Sequence, residues 1–380
     1  METETNQATS GRGKRGKRWG MRAFCRVILG GFLLTALAGG MEAEACSLAF
    51  YTGHLLGGGG EVHLNGRTMD SVAPLGIILD YNMNIYPRGL QHDGSKYNQE
   101  DVPIANPARW TSKYGSLTID NVGAGVNETG LSVDMLYLDG SAYATPDQTT
   151  PCVSFLKVPM YLLDNAATVS ECLALLRKVL VVAEKYNGNV PGMHFAIRDA
   201  SNDAAIIEFV NVAGPGGHLL GPQMVVYHGQ NYDVMTNEPP LPRQLNYYQQ
   251  FASCKKGLGG DFNALDRFVR LKMFKKTLPD GSTQWENVFN VFLLMDTTHT
   301  VPGSVDYSGK EHGELWPNVW TTVVDVDNTI FYLKLANYPN IIWVDLRNIV
   351  FDSLTQIGTL DPKNFALTGE VSDKFTWKQP

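Results

Sequence analysis

The sequence predicts an α+β fold in which two antiparallel sheets pack face to face with helices outside. Three observations carry that reading. Strand-length segments rich in β-formers recur along the chain, and two pairs of them are joined by short turn segments, Asp199-Ala-Ser-Asn-Asp203 and Asp327-Asn328. Helical periodicity is confined to a few segments between the strand groups. Beyond residue 45 there is no internal repeat, low-complexity block or charge run, so one domain is the default.

Taken in order, Cys46-Ser-Leu-Ala-Phe-Tyr-Thr52 is β-rich, the glycine run Gly57–Gly60 is a turn, and Glu61–Asp70 is the returning strand. Further strands are expected at 75–85, 116–120, 131–138, 194–199, 204–210, 223–227, 233–236, 319–326, 329–335 and 341–346. Thr168-Val-Ser-Glu171 has the spacing of a capping box, and Leu173, Leu176, Val179 and Leu180 follow at helical intervals, which predicts a helix from about 169 to 183. Asn263 caps a second expected helix carrying Leu265, Phe268, Val269, Leu271 and Phe274, and a third is expected from Trp285 to Met295.

Composition narrows the function classes. With 18% charged, 44% hydrophobic and 10% aromatic residues, disorder, collagen and coiled coil are excluded. Thirty-one basic against 38 acidic residues give a net charge of −7 and no basic stripe, which argues against a nucleic-acid partner. Five cysteines are too few for a disulfide framework, so a packed core must hold the fold. Cys172, inside a helical pattern, reads as a small buried apolar residue.

The N-terminus has the pattern of an export signal. Residues 11–26 carry seven positive charges and no negative one, and the apolar stretch Val27–Ala38 follows. At about 12 residues it is short of the ~20 that span a bilayer, so no stable membrane anchor is expected. Ala43-Glu44-Ala45 is a small-x-small cleavage site. Cutting there removes seven basic and four acidic residues, leaving a 335-residue chain, 46–380, of net charge −10 that begins with Cys46. A lipoprotein signal also ends at cysteine, but it prefers leucine three residues upstream and small residues between. The alternative is catalytic: a free N-terminal cysteine carries an amine of pKa ~7.7–8 beside its thiol, so nucleophile and base share one residue. An unspecialised cysteine beside a cleavage site is the third reading.

An N-terminal cysteine hydrolase needs groups that orient the amine, favour thiolate and stabilise an oxyanion. Arg67 and Asp70, in Gly66-Arg-Thr-Met-Asp70, can bracket an ammonium and a thiolate, or form a surface salt bridge. Asn237, in Thr236-Asn-Glu-Pro-Pro240, offers an oxyanion donor or a rigid turn. Arg267 stands at the start of a helix, against the usual preference of cations for C-termini. None of the eight histidines stands in a cysteine-protease signature or a zinc spacing, and there is no phosphate loop, nucleophile elbow or dinucleotide fingerprint.

With Cys46, Gly66-Arg67-Thr-Met-Asp70, Gly125-Val-Asn127-Glu-Thr-Gly130-Leu, Thr236-Asn237-Glu-Pro-Pro and Asp266-Arg267-Phe-Val-Arg in this order, the chain resembles the choloylglycine hydrolase family. That family contains bile salt hydrolases and penicillin V acylases, and the similarity runs from Cys46 to about Trp343. The resemblance implies the N-terminal-nucleophile αββα sandwich, cleavage of linear amides outside peptides, no metal or cofactor, a small-molecule acyl amide as substrate and a homotetramer. It also implies Cys46 as nucleophile with its α-amine as base, Asp70 orienting that amine, Arg67 beside the thiol, Asn237 in the oxyanion hole and Arg267 completing the network. Tyr137 falls where penicillin V acylases have Tyr and bile salt hydrolases Asn. Trp110 and Tyr137 are candidates for the aromatic wall of an acyl pocket, core packing being the alternative. The export signal and Arg109–Gly115 look like the Gram-negative branch, in which penicillin V and acyl-homoserine-lactone cleavage are expected; the Cys46–Arg67 interval is longer than expected by roughly the glycine run. A periplasmic or secreted penicillin V acylase is therefore the expectation, with a bile salt hydrolase, an acyl-homoserine-lactone acylase or a non-catalytic secreted binding protein as alternatives.

Overall fold

The computed structural model describes residues 46–70, 81–98, 101–119, 123–185, 188–215, 218–254, 257–304 and 316–380. The expected signal peptide, 1–45, and residues 75–80 of an expected strand lie outside them. In chain order the described residues form β1 (Ser47–His54), β2 (Glu61–Asp70), β3 (Met83–Tyr86), β4 (Gln91–Asp93), β5 (Arg109–Thr111), β6 (Ser116–Ile119), β7 (Ala124–Asn127), β8 (Ser132–Tyr137) and β9 (Cys152–Ser154). Then come α1 (Val158–Asn165), α2 (Val169–Leu176), β10 (Leu180–Val182), β11 (Met193–Arg198), β12 (Ala204–Ala213), β13 (Leu219–His228), β14 (Val234–Met235), α3 (Leu241–Cys254), α4 (Ala264–Lys275) and α5 (Gln284–Asp296). The chain closes with β15 (Asn318–Asp325), β16 (Ile330–Leu335), β17 (Ile341–Asp345), β18 (Ile357–Leu360), β19 (Gly369–Glu370) and β20 (Thr376–Lys378).

Two large sheets dominate. One has seven strands in the order β14-β1-β2-β15-β16-β17-β19, and the other nine in the order β13-β12-β11-β8-β7-β6-β3-β18-β20. Pairing is antiparallel throughout, apart from β17 with β19. Strand periodicity explains how the layers stack. On β8, Asp134 and Leu136 point toward the seven-stranded sheet, where Asp134 meets Arg67 and Leu136 joins the cluster around Leu48 and Leu64. Val133, one residue out of phase, packs with Leu162 and Leu163 of α1. Helices α4 and α5 cover β1 and β2, and α1 covers β7 and β8. The result is a helix–sheet–sheet–helix sandwich. Trp320, Val324 and Phe331 of one sheet meet Ile85, Leu117 and Val126 of the other in the core.

Local chemistry sets the hairpins. Between β11 and β12 the Asp199 carboxylate accepts from the Ser201 backbone and hydroxyl at 2.9 and 2.6 Å, and Asn202 takes the left-handed conformation at φ 66°. Between β15 and β16, Asp325 accepts from the Asn328 amide at 3.0 Å and Thr329 has φ 55°. Helix α2 begins as expected, with the Thr168 hydroxyl accepting from Glu171 N, but it ends at Leu176 rather than near 183. Residues 180–182 leave it to pair in parallel with β9. Cys152 and Cys172 are free, buried thiols, and burial pushes the Cys172 thiol well up.

Candidate active site

The register of β1 on β2 decides what surrounds Cys46. Ser47 lies opposite Thr68 and Leu48 opposite Arg67, so the residue before β1 faces Met69. Cys46 is buried, with its Sγ 3.5 Å from Met69 Sδ. Met69 Sδ also receives the Arg67 guanidinium, Nη2 lying 3.7 Å away. Arg67 is itself buried. It crosses to the other sheet, donating to the carbonyl of Met135 at 2.7 Å and to that of Gly123, while its guanidinium lies 4.9 Å over the Trp320 ring. Asp134 stands 3.9 Å from Nη1, and burial pushes its carboxyl up to about 6 against the pull of that cation. Asp70 closes β2, fully buried, and accepts from Asn318 Nδ2 at 2.9 Å.

The opposite flank is built by β14 and α4. Strand β14 pairs with β1, Met235 opposite Leu48, and thereby delivers Asn237 beside the head of β1. Gln244 of α3 fixes the turn, donating to the carbonyls of Asn237 and Pro239 at 2.6 and 2.7 Å. Asn237 donates from Nδ2 to the Tyr137 carbonyl at 2.9 Å and accepts on Oδ1 from Arg267 Nη2 at 2.8 Å. Arg267, in the first turn of α4, also donates through Nη1 to the Cys46 carbonyl at 2.5 Å and to Ser47 Oγ at 2.7 Å, and through Nε to the Phe262 carbonyl at 2.8 Å. One buried guanidinium thus locks the thiol-bearing residue and an amide donor into a single unit. Such a group of thiol, fixed cations and amide N–H has the parts required for acyl transfer.

The profile of the linear amide C-N hydrolases, choloylglycine hydrolase family, matches residues 58–358. The chain belongs to this family. The penicillin V acylase of Pectobacterium atrosepticum is 29% identical over 334 residues, covering 79% of this chain and 83% of that protein. Among solved structures, the penicillin V acylase of Agrobacterium tumefaciens superposes with a TM-score of 0.71 at 26% identity, covering 88% of this chain and 98% of that one. A mutant conjugated bile acid hydrolase of Clostridium perfringens shares the fold at 19% identity and a TM-score of 0.64, covering 86% and 98%. The chain is therefore an amide hydrolase acting on small-molecule linear amides, with the N-terminal-nucleophile hydrolase architecture.

In this choloylglycine hydrolase family member the structure gathers Cys46, Arg67, Asn237 and Arg267, with Asp70 at the end of the same strand as Arg67. Tyr137 reaches the cluster through its backbone carbonyl, and its side chain is buried. Trp110 lies elsewhere. Its indole donates to Asp164 at 2.6 Å on α1, stacks on His92 and meets the edge of Tyr161, in a different core cluster from that of Cys46. The reason is the β4–β5 hairpin, which carries Trp110 onto the helix layer rather than toward the head of β1. Four neighbours of the site were not singled out from sequence: Met69, Asp134, Gln244 and Asn318. Asp134 had a signal, being the one charged residue of the strand Ser132–Tyr137.

Proposed function

We propose that this hydrolase is an exported, periplasmic or secreted, amidase of the penicillin V acylase type that works through Cys46 as N-terminal nucleophile after removal of residues 1–45. The carrying observation is the Arg267 bridge, which holds the Cys46 carbonyl at 2.5 Å and the Asn237 side chain at 2.8 Å. The likeness to two penicillin V acylases supports the substrate class.

In this reading the α-amine of Cys46 takes the thiol proton as Sγ bonds to the amide carbonyl carbon. Asn237 has a second amide hydrogen besides the one held by Tyr137, and it donates to the oxyanion. Arg67 favours thiolate by its charge, and Asp70 orients the ammonium. Collapse of the tetrahedral intermediate breaks the C–N bond, and the ammonium returns its proton to the departing amine. Water then cleaves the thioester, releasing the acid and restoring the thiol. Arg267 acts through its neighbours as a positioning residue.

The test has two parts. Mass spectrometry of the exported protein is expected to show an unmodified Cys46 as the first residue, and Cys46→Ala to abolish turnover with the fold retained. A diacylglyceryl adduct on Cys46, or full activity of Cys46→Ala, sinks the mechanism. A competition assay of penicillin V, glycocholate and a long-chain acyl-homoserine lactone is expected to favour penicillin V.

A further inference from the structure

A second cluster of buried donors lies away from Cys46, further along β1. A cavity of about 210 Å³ is lined by Thr52, Arg198, Asn202, Gln230, Asp233 and Lys275, with Phe50 and Tyr232 as aromatic wall. Arg198 is 1% exposed. Its Nη1 donates to the carbonyls of Tyr51 and Leu64 at 2.9 and 3.0 Å, and its Nη2 to Thr52 Oγ1 at 2.9 Å and to Asn202 Oδ1. All four acceptors are neutral. Its Nε is buried without a protein acceptor.

The four acids whose fields reach Arg198 are each engaged elsewhere. Asp327 and Glu61 hold His63, Asp199 holds Ser201 and the Val169 amide, and Asp233 is shared between Lys272 and Lys275. Burial without a carboxylate partner pushes the guanidinium down to about 10, which leaves it charged at neutral pH. Two lysines thus share the Asp233 carboxylate, and Arg198 bonds none. Lys275 donates to the Phe50 carbonyl at 2.8 Å and to Asp233, and its ammonium keeps a third hydrogen. A buried cation with an unmatched donor is costly unless a partner of opposite charge reaches it. The space amounts to about seven water volumes, enough for an ion of a few heavy atoms and too small for a nucleotide.

We infer that this cavity binds a small oxyanion, a carboxylate or a phosphate, which accepts from the Lys275 ammonium and the amides of Asn202 and Gln230 beside the buried Arg198 guanidinium. The site is separate from the amidase cluster. Lys275 closes α4, whose first turn carries Arg267, so the two sites lie at opposite ends of that helix.

Thermal unfolding of the mature enzyme in sodium acetate, sodium phosphate and sodium chloride at equal ionic strength tests this. Acetate or phosphate is expected to raise Tm above chloride, by about 4 °C when the anion stands near a hundred times its Kd. A response to acetate alone assigns the site to carboxylates, and one to phosphate alone assigns it to phosphate. Gln230→Glu, at an exposed position, is expected to abolish the increment by placing a carboxylate at the rim while amide hydrolysis is unchanged. Lys275→Met is expected to do the same. Equal Tm values in all three salts, or a full increment in Gln230→Glu, overturn the assignment.

Discussion

Asn237 couples two jobs in one side chain. Its Oδ1 is tied to Arg267 at 2.8 Å, and its Nδ2 is tied to Tyr137 with one hydrogen left over. Asn237→Asp keeps the acceptor for Arg267 and removes the donor, so it isolates the oxyanion contact. We expect kcat to fall about 10²–10³-fold with the fold intact, measured by steady-state kinetics beside a thermal melt. A variant that retains full kcat removes Asn237 from the oxyanion hole. Asp134 carries a separate prediction. Its carboxyl is held at about 6, above the ordinary 3.8, because burial outweighs the pull of the nearby Arg67 cation. The raised value means that folding favours the protonated form. The stability it lends is complete below about pH 4 and is lost as pH rises through 6. Relative to Asp134→Asn, which cannot titrate, the wild-type protein is expected to lose on the order of 3 kcal/mol across that window. Denaturant unfolding at pH 4, 5, 6 and 7 reads the difference directly; parallel stability profiles for the two proteins contradict it.

At the scale of elements, the β2–α5 contact shows how closely a helix can approach a strand. A Cβ on Gly66 would lie 2.6 Å from Val291 Cγ1 and 2.8 Å from Met295 Cγ. Gly66→Ala is expected to destabilise by about 1–3 kcal/mol, because the β-branched Val291 cannot swing aside. Adding Val291→Ala is expected to recover part of that loss, a non-additivity that chemical denaturation of the single and double variants measures. The elements themselves were unevenly legible. Helices α4 and α5 and the long strands were visible because their periodicity spans many residues, and α4 starts at the cap Asn263; the Thr283 cap of α5 went unread. Helix α1 was hidden by Pro159 and α3 by Pro242, yet each proline sits in the first turn, where its missing N–H breaks no helical bond. The overlong reading of α2 came from Val179 and Leu180, which fit a helical spacing but serve a strand. Three-residue pieces such as β4, β5 and β9 are too short to show any period. In the site, residues supplied by motif were readable one by one. What no local pattern could give was that Trp110 rides a hairpin onto the α1 layer, or that Met69 stands between Cys46 and Arg67.

Over the whole molecule, the two sheets are sewn together by polar groups as well as by apolar packing. Arg67 leaves the seven-stranded sheet to bond the carbonyls of Met135 and Gly123, and Arg198 leaves the nine-stranded sheet to bond those of Tyr51 and Leu64. The turns make a third contact. Gly130, between β7 and β8, has φ 85°, and a Cβ there would stand 2.3 Å from the Val326 carbonyl in the turn between β15 and β16. A backbone oxygen cannot rotate away as a side chain can, so Gly130→Ala must push the two turns apart. Gly140 provides the control, since its φ is 79° and a Cβ there meets nothing within 4 Å. Both variants carry the left-handed penalty of about 1–2 kcal/mol, so their difference in unfolding free energy reports the crowding at Gly130, chiefly the inter-sheet contact with Val326 and less the 3.1 Å approach to Ala200 Cβ. We expect Gly130→Ala to be the less stable by a further 1–3 kcal/mol. It should also lose activity per folded molecule, because the site takes Arg67 from one sheet and its Met135 acceptor from the other. Equal stability of the two variants would mean that the sheets part at this corner without resistance, and the site's geometry would then have to be held by the two arginines alone.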